Sequence, residues 1–93
     1  MIKSFKNKVT RQIWERERVP SLSLELQKAA QKRLGWIAAA VDVQSLRFPP
    51  SNRLKKLSGS RKDQWSIRVN DQYRICFDWR EDHAENVEFC DYH

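Results

Sequence analysis

Trp65-Ser66-Ile67-Arg68-Val69-Asn70-Asp71-Gln72-Tyr73-Arg74-Ile75-Cys76-Phe77-Asp78-Trp79 is the stretch that decides the fold. On either side of the turn formers Asn70-Asp71-Gln72, alternate residues are large and apolar. Such alternation predicts two antiparallel strands, each turning one face to a core. For both apolar sets to face the same way, Val69 must oppose Tyr73, Ile67 oppose Ile75, and Trp65 oppose Phe77. The other parity then sets Arg68 across from Arg74 on the outer face. Like charges directly opposite in a ladder are destabilising by roughly a few tenths of a kcal/mol. Water tolerates such a pair, and a bridging anion makes it useful.

Further along, Asn86-Val87-Glu88-Phe89-Cys90 reads as a third strand. With Val87 and Phe89 pointing inward, Glu88, Cys90 and Tyr92 share the outer face with the arginines. Toward the N-terminus, Leu22, Leu26, Ala29, Ala30, Leu34, Ile37 and Val41 trace one apolar stripe at helical spacing. Gln27, Lys28, Gln31 and Lys32 fall mostly off that stripe, as a solvated face requires. Gly35 interrupts it at about 1 kcal/mol of helix propensity relative to Ala, a cost that close packing would explain. Val9, Ile13 and Trp14 predict a shorter helix closed by Val19-Pro20-Ser21, and Ile2 to Phe5 a short strand. The expected fold is α+β: two N-terminal helices on one face of a small, mainly antiparallel sheet. Ninety-three residues without repeats or linkers make a single domain, residues 1–93.

Between the helices and the hairpin the texture changes. Paired prolines in Ser45-Leu46-Arg47-Phe48-Pro49-Pro50-Ser51-Asn52-Arg53-Leu54 argue against helix and central strand alike. Six Lys or Arg lie between Arg47 and Lys62 with no acid among them. Leu54 and Leu57 are apolar anchors able to hold those cations in place. Over the whole chain, 18 Lys and Arg against 12 Asp and Glu leave a net charge of +6. That balance points to an anionic partner, nucleic acid or an acidic protein. Cys76 and Cys90 are too few for a disulfide framework and read as small sheet residues of a reduced cytoplasmic protein. No run of eighteen apolar residues and no signal-peptide pattern occurs, so no membrane partner is expected.

The chain ends on Asp91-Tyr92-His93, three groups able to give or take a proton. The α-carboxylate beside His93 favours the charged imidazole and should raise its pKa. A basic sheet face with such groups at its end suits cleavage of RNA without a metal or other cofactor. Attack of a ribose 2′-OH on the neighbouring phosphate needs a base, cations around the phosphorane, and an acid at the departing 5′-oxygen.

The run Asn52-Arg53-Leu54-Lys55-Lys56-Leu57, then Gly59-Ser60-Arg61, Gln64 to Trp79, and Val87-Glu88-Phe89-Cys90-Asp91-Tyr92-His93 resembles the HigB-like, plasmid-maintenance killer branch of the RelE toxin superfamily. The resemblance covers nearly the whole chain. It implies a compact RelE-like fold and a toxin of a bacterial type II toxin–antitoxin pair that cleaves messenger RNA in the decoding site of the translating ribosome. It also implies a HigA-like helix-turn-helix antitoxin as partner, and operator DNA contacted indirectly through the toxin–antitoxin complex.

Carried over by position, the resemblance assigns His93 to acid–base catalysis, Asp91 to orienting it, and Tyr92 to stacking on a base. Arg74 and Lys55 would stabilise the phosphate, while Arg53, Lys56, Arg61 and Arg68 would contact RNA backbones. Lys55 stands where some relatives have a histidine, and Ser58 and Ser60 where relatives often carry Lys and Asp. A lysine of ordinary pKa is a poor base near neutrality and a good electrostatic clamp, which throws more of the proton transfer onto His93.

Two other readings compete. Asp78, Glu81, Asp82, His83, Glu85 and Glu88 suggest a metal site, but adjacent strand residues face opposite ways and no ligand spacing appears. A solvated acidic turn accounts for them better. The second competitor is a non-catalytic basic module that binds nucleic acid or an antitoxin and acts in operon autoregulation.

Overall fold

The computed structural model describes residues 1–59 and 63–91. Helix α1 (Lys8–Trp14) starts at Asn7, whose Oδ1 accepts from the Thr10 amide at 3.0 Å. Helix α2 (Leu24–Ala39) starts at Ser23, whose Oγ accepts from the Leu26 amide at 3.1 Å. Four strands follow: β1 (Lys55–Lys56), β2 (Gln64–Arg68), β3 (Tyr73–Arg80) and β4 (His83–Asp91). They pair antiparallel in the order β1-β2-β3-β4. Ile2 and Phe5 add isolated parallel bridges to Ala84 and Val87 of β4. The expected N-terminal strand is thus two bridges, and it makes the sheet mixed at this edge.

The hairpin register is the one that periodicity predicts. Trp65 pairs with Phe77, Ile67 with Ile75, and Arg68 with Arg74. The Val69 amide closes the hairpin on the Tyr73 carbonyl at 3.0 Å. Ile67, Ile75, Phe77 and Val87 meet Ile13, Ala30, Leu34 and Ile37 in one core, and all eight are fully buried. Fully burying side chains of this size stabilises the fold by about 1.5–3 kcal/mol each relative to exposure. Both helices therefore lie on the same face of the sheet as the apolar parity.

Buried polar side chains close the gaps that apolar packing leaves. Thr10 is fully buried. Its hydroxyl donates to Asn7 Oδ1 at 2.6 Å and accepts from the Phe89 amide at 2.9 Å. The parallel bridges stop at Val87, so Thr10 supplies the next acceptor that a neighbouring strand would have given. Gln27 corrects the expectation of a solvated position. Its carboxamide accepts from the Val19 amide at 3.0 Å and from Arg18 Nη1 at 2.8 Å, and donates to the Glu17 carbonyl at 2.6 Å. The turn between the helices is built on that one amide.

Other expectations change as well. Val41 lies beyond the C-cap Ala40 and is exposed, so the stripe ends at Ile37 and Ala40. The proline segment is not featureless loop: Val43–Arg47 and Pro50–Asn52 form short 3-10 helices. Pro50 sits at the start of the second, where a missing N–H costs nothing. Gly35 needs no explanation from packing, because a Cβ there would meet nothing within 4 Å.

Gly35→Ala should therefore raise unfolding free energy by about 0.5–1 kcal/mol, the helix-propensity difference. Gln27→Ala should lower it by about 1–3 kcal/mol, because it leaves the buried Val19 amide without an acceptor. Urea unfolding curves of the two variants, with unchanged slopes, would check both values.

Candidate nucleic-acid interface

On the outer face, Arg53, Lys55, Arg68, Asn70, Asp71 and Arg74 line an open groove of about 310 Å³. Four cations therefore face one acid among its described residues. Each arrives by a different route. Arg68 and Arg74 are cross-strand partners at the turn end of the hairpin. Lys55 opposes Ser66 in the adjacent β1–β2 ladder, which gives it the same parity as Arg74. Arg53 comes from the turn just before β1, where it adopts a left-handed conformation, φ 47°. Asn52 directs the chain into that turn. Its buried amide donates to the carbonyls of Leu46 at 3.2 Å and Phe48 at 3.3 Å.

Arg74 is fastened rather than adaptable. Its Nε donates to the fully buried Ser66 hydroxyl at 2.9 Å, and Nη2 donates to the Arg53 carbonyl at 2.8 Å. A planar guanidinium held at two edges points in one direction, which a lysine cannot reproduce. Arg68 is ion-paired with the exposed Asp71 carboxylate. Beneath it, Arg33 Nε of α2 donates to the Arg68 carbonyl at 3.0 Å. Burial, and then the nearby Arg68 charge, lower the Arg33 pKa. Three guanidinium groups thus crowd this end of the sheet, a local excess of positive potential suited to phosphate.

The other expected site residues divide. Lys56 takes the opposite parity, paired with Trp65, and its Nζ lies 5.6 Å from the centre of that ring. It is not brought into the groove with Lys55. Asp91 pairs with Tyr73, and its Oδ2 accepts from Gln72 Nε2 at 3.0 Å. It therefore has the helix-side parity at the end of β4, and does not line the groove. Arg61, Tyr92 and His93 lie outside the described residues. Ser66, Arg33, Asn70 and Asp71 were missed. Of these, only Ser66 was within reach of sequence reasoning, since its outward parity beside Arg74 follows from the hairpin register.

The acidic turn after β3 also differs from expectation. His83 is buried rather than solvated, with Nε2 2.6 Å from Glu85 Oε2. Glu85 Oε1 in turn lies 3.4 Å from Arg80 Nε. These contacts tie the turn together at the end of the sheet remote from the Arg68–Arg74 pair.

Residues 3–93 match the model of the HigB-like toxins, described as the RelE-like toxin HigB of type II toxin–antitoxin systems. The chain belongs to this family. Toxin HigB-1 of Vibrio cholerae serotype O1 is 36% identical over 91 residues, spanning 94% of this chain and 93% of its own length. An uncharacterized protein of Haemophilus influenzae is 33% identical over 70 residues, 75% of this chain and 66% of that protein. In three dimensions the chain superposes on a chain of the YoeB–YefM complex from Staphylococcus aureus with a TM-score of 0.58. That match covers 100% of this chain and 98% of the other at 13% identity, so it speaks to the RelE-like fold alone. The protein is a HigB-like toxin of a type II toxin–antitoxin system.

In this toxin the Ser66 hydroxyl should be worth a charge-assisted hydrogen bond. Ser66→Ala should lower unfolding free energy by about 1–3 kcal/mol and weaken binding of a short single-stranded RNA. Arg74→Lys should weaken that binding too, although the charge is kept. Fluorescence anisotropy at fixed salt would check both; equal affinity of Arg74→Lys and the unsubstituted protein would contradict the fixed-fork account.

Proposed function

We propose that this HigB-like toxin is a metal-independent endoribonuclease that cuts messenger RNA on the ribosome and so inhibits translation. The observation that carries the proposal is the groove of Arg53, Lys55, Arg68 and Arg74, with Arg74 held by Ser66 and the Arg53 carbonyl. A scissile phosphate in that groove meets Arg74 and Lys55 as its charge grows toward the phosphorane. The ribose 2′-OH loses its proton and bonds to phosphorus, and the bond to the 5′-oxygen breaks. A cyclic phosphate and a 5′-hydroxyl end result. His93, two positions after Asp91 in the sequence, moves the proton, Asp91 orients it, and Tyr92 stacks on a base. No cofactor enters the reaction.

Arg53 and Arg68 would hold the flanking RNA backbone, joined by Arg61. Lys56, which takes the other parity, would contribute less. The family membership supports a HigA-like helix-turn-helix antitoxin as the partner that restrains the toxin, with operator DNA contacted through the complex. The YoeB neighbour was itself captured with YefM, which is consistent with such a partner. None of the described helices is long and apolar enough to cross a membrane, and a ribosomal substrate places the activity in the cytoplasm.

Single-turnover cleavage of a ribosome-bound messenger tests the reading. His93→Ala should slow it by about 10²–10⁴-fold, the usual contribution of a positioned acid or base. Arg74→Ala should also impair it strongly, whereas Lys56→Ala should change it little. Arg53→Ala and Arg68→Ala together should flatten the salt dependence of RNA binding, by about 0.7–0.9 in log–log slope for each phosphate no longer neutralised. Tight binding of ribosomes with no cleavage by the unsubstituted protein would favour the non-catalytic module instead.

A further inference from the structure

Cys76 and Cys90 stand on neighbouring strands, and their sulfur atoms are 3.3 Å apart. The register explains the approach. Cys90 pairs with Arg74 and Cys76 with Glu88, so the two cysteines are diagonal neighbours on the outer face. Between Cys76 and Asp78 the ladder is irregular, which bends and twists the strand locally. The sulfurs must close by about 1.2 Å to reach the roughly 2.05 Å of a disulfide, and a diagonal pair, with Cα atoms roughly 7–8 Å apart in a regular ladder, closes only as the two strands draw together there. Their exposures differ: Cys76 is fully buried and Cys90 is partly accessible. That asymmetry is what a stepwise oxidation requires, one thiol open to a small oxidant and a second shielded beside it.

We propose that Cys76 and Cys90 form a redox-modifiable dithiol that closes to an intrachain disulfide. With hydrogen peroxide as oxidant, the Cys90 thiolate attacks one peroxide oxygen, the O–O bond breaks, and the departing hydroxide takes up the proton that the thiol released and leaves as water. Cys90 becomes a sulfenic acid. The Cys76 sulfur then attacks the Cys90 sulfur and expels a second water. Overall, two thiols and one peroxide give one disulfide and two waters, and a dithiol reductant reverses the bond by exchange. The bond joins the strand that carries Arg74 to the end of β4 that carries Asp91, so oxidation stiffens the floor beside the basic groove. The thiol geometry alone carries this chemistry, whether or not the toxin cleaves RNA.

The test exposes the folded, full-length protein to stoichiometric hydrogen peroxide, then unfolds it in iodoacetamide and maps the peptides. The expected product is a monomer in which a Cys76–Cys90 bond replaces both alkylation sites, restored by dithiothreitol. Cys90→Ser should show no bond, and Cys76→Ala should stop at the sulfenic acid or higher oxides of Cys90. The cysteines are 14 positions apart, and closing a loop of that size should raise the thermal midpoint by about 12–24 °C. Amide exchange along the β3–β4 ladder should slow in parallel. Two alkylated thiols after treatment, cross-linked dimers, or Cys90 sulfinic acid in the unsubstituted protein would each overturn the proposal.

Discussion

Everything on the outer face depends on the parity of one hairpin, and that parity is set at Asn70. Its side-chain oxygen accepts from the amides of Gln72 and Tyr73, both at 2.8 Å. The side chain thus stands in for backbone at the tightest point of the chain. A slip of one residue would send Ile67, Ile75 and Phe77 to solvent and Arg68 and Arg74 into the core. Burial of the apolar set and pinning of the turn therefore enforce the same register. The like-charge pair on the outer face is a consequence of that agreement and is not selected by its own energy.

How the crowded cations are tolerated follows from what each one donates to. Arg74 has a hydroxyl and a carbonyl, Arg33 has two carbonyls, and Arg68 has a carboxylate. Each guanidinium thus makes hydrogen bonds within its own neighbourhood, and Asp71 is the acid among the described residues lining the groove. The lowered pKa of Arg33 comes first from burial and only then from the Arg68 charge.

The elements legible in the sequence are those governed by short periods. Strand faces, hairpin register and the stripe from Leu26 to Ile37 follow from alternation and helical spacing. What periodicity missed is the work of polar side chains across long separations. Gln27 looks like a surface residue because its partners are nine or so positions away, in a turn with no pattern of its own. Thr10 satisfies an amide of β4 from the far end of the chain. Neither has a periodic signature, since each answers to backbone groups that helix and strand pairing leave unmatched. His83 is a different case: it is buried and bonded to Glu85 two positions on, in a turn that composition assigns to water.

The site divides along the same line. Arg68 and Arg74 can be placed on one face from the hairpin alone. Lys55 and Arg53 cannot, because their positions depend on how a proline-rich segment turns back to the sheet edge. Here Asn52 gathers two carbonyls, Arg53 takes a left-handed conformation, and Arg74 clamps the Arg53 carbonyl. The basic run from Arg47 to Lys62 includes both, but only the family resemblance gave each a role. The resemblance also grouped Lys56 and Asp91 with them, and there the pleat separates what adjacency in sequence suggests. Lys56 follows Lys55 and Asp91 follows Cys90, so each is turned to the other face. Roles carried over by neighbouring position are therefore weakest where the neighbours lie in a strand. At the groove, the fixed direction of Arg74 ties the catalytic reading to the fold, because one of the two bonds that aim its guanidinium also holds the turn of Arg53 that leads into Lys55.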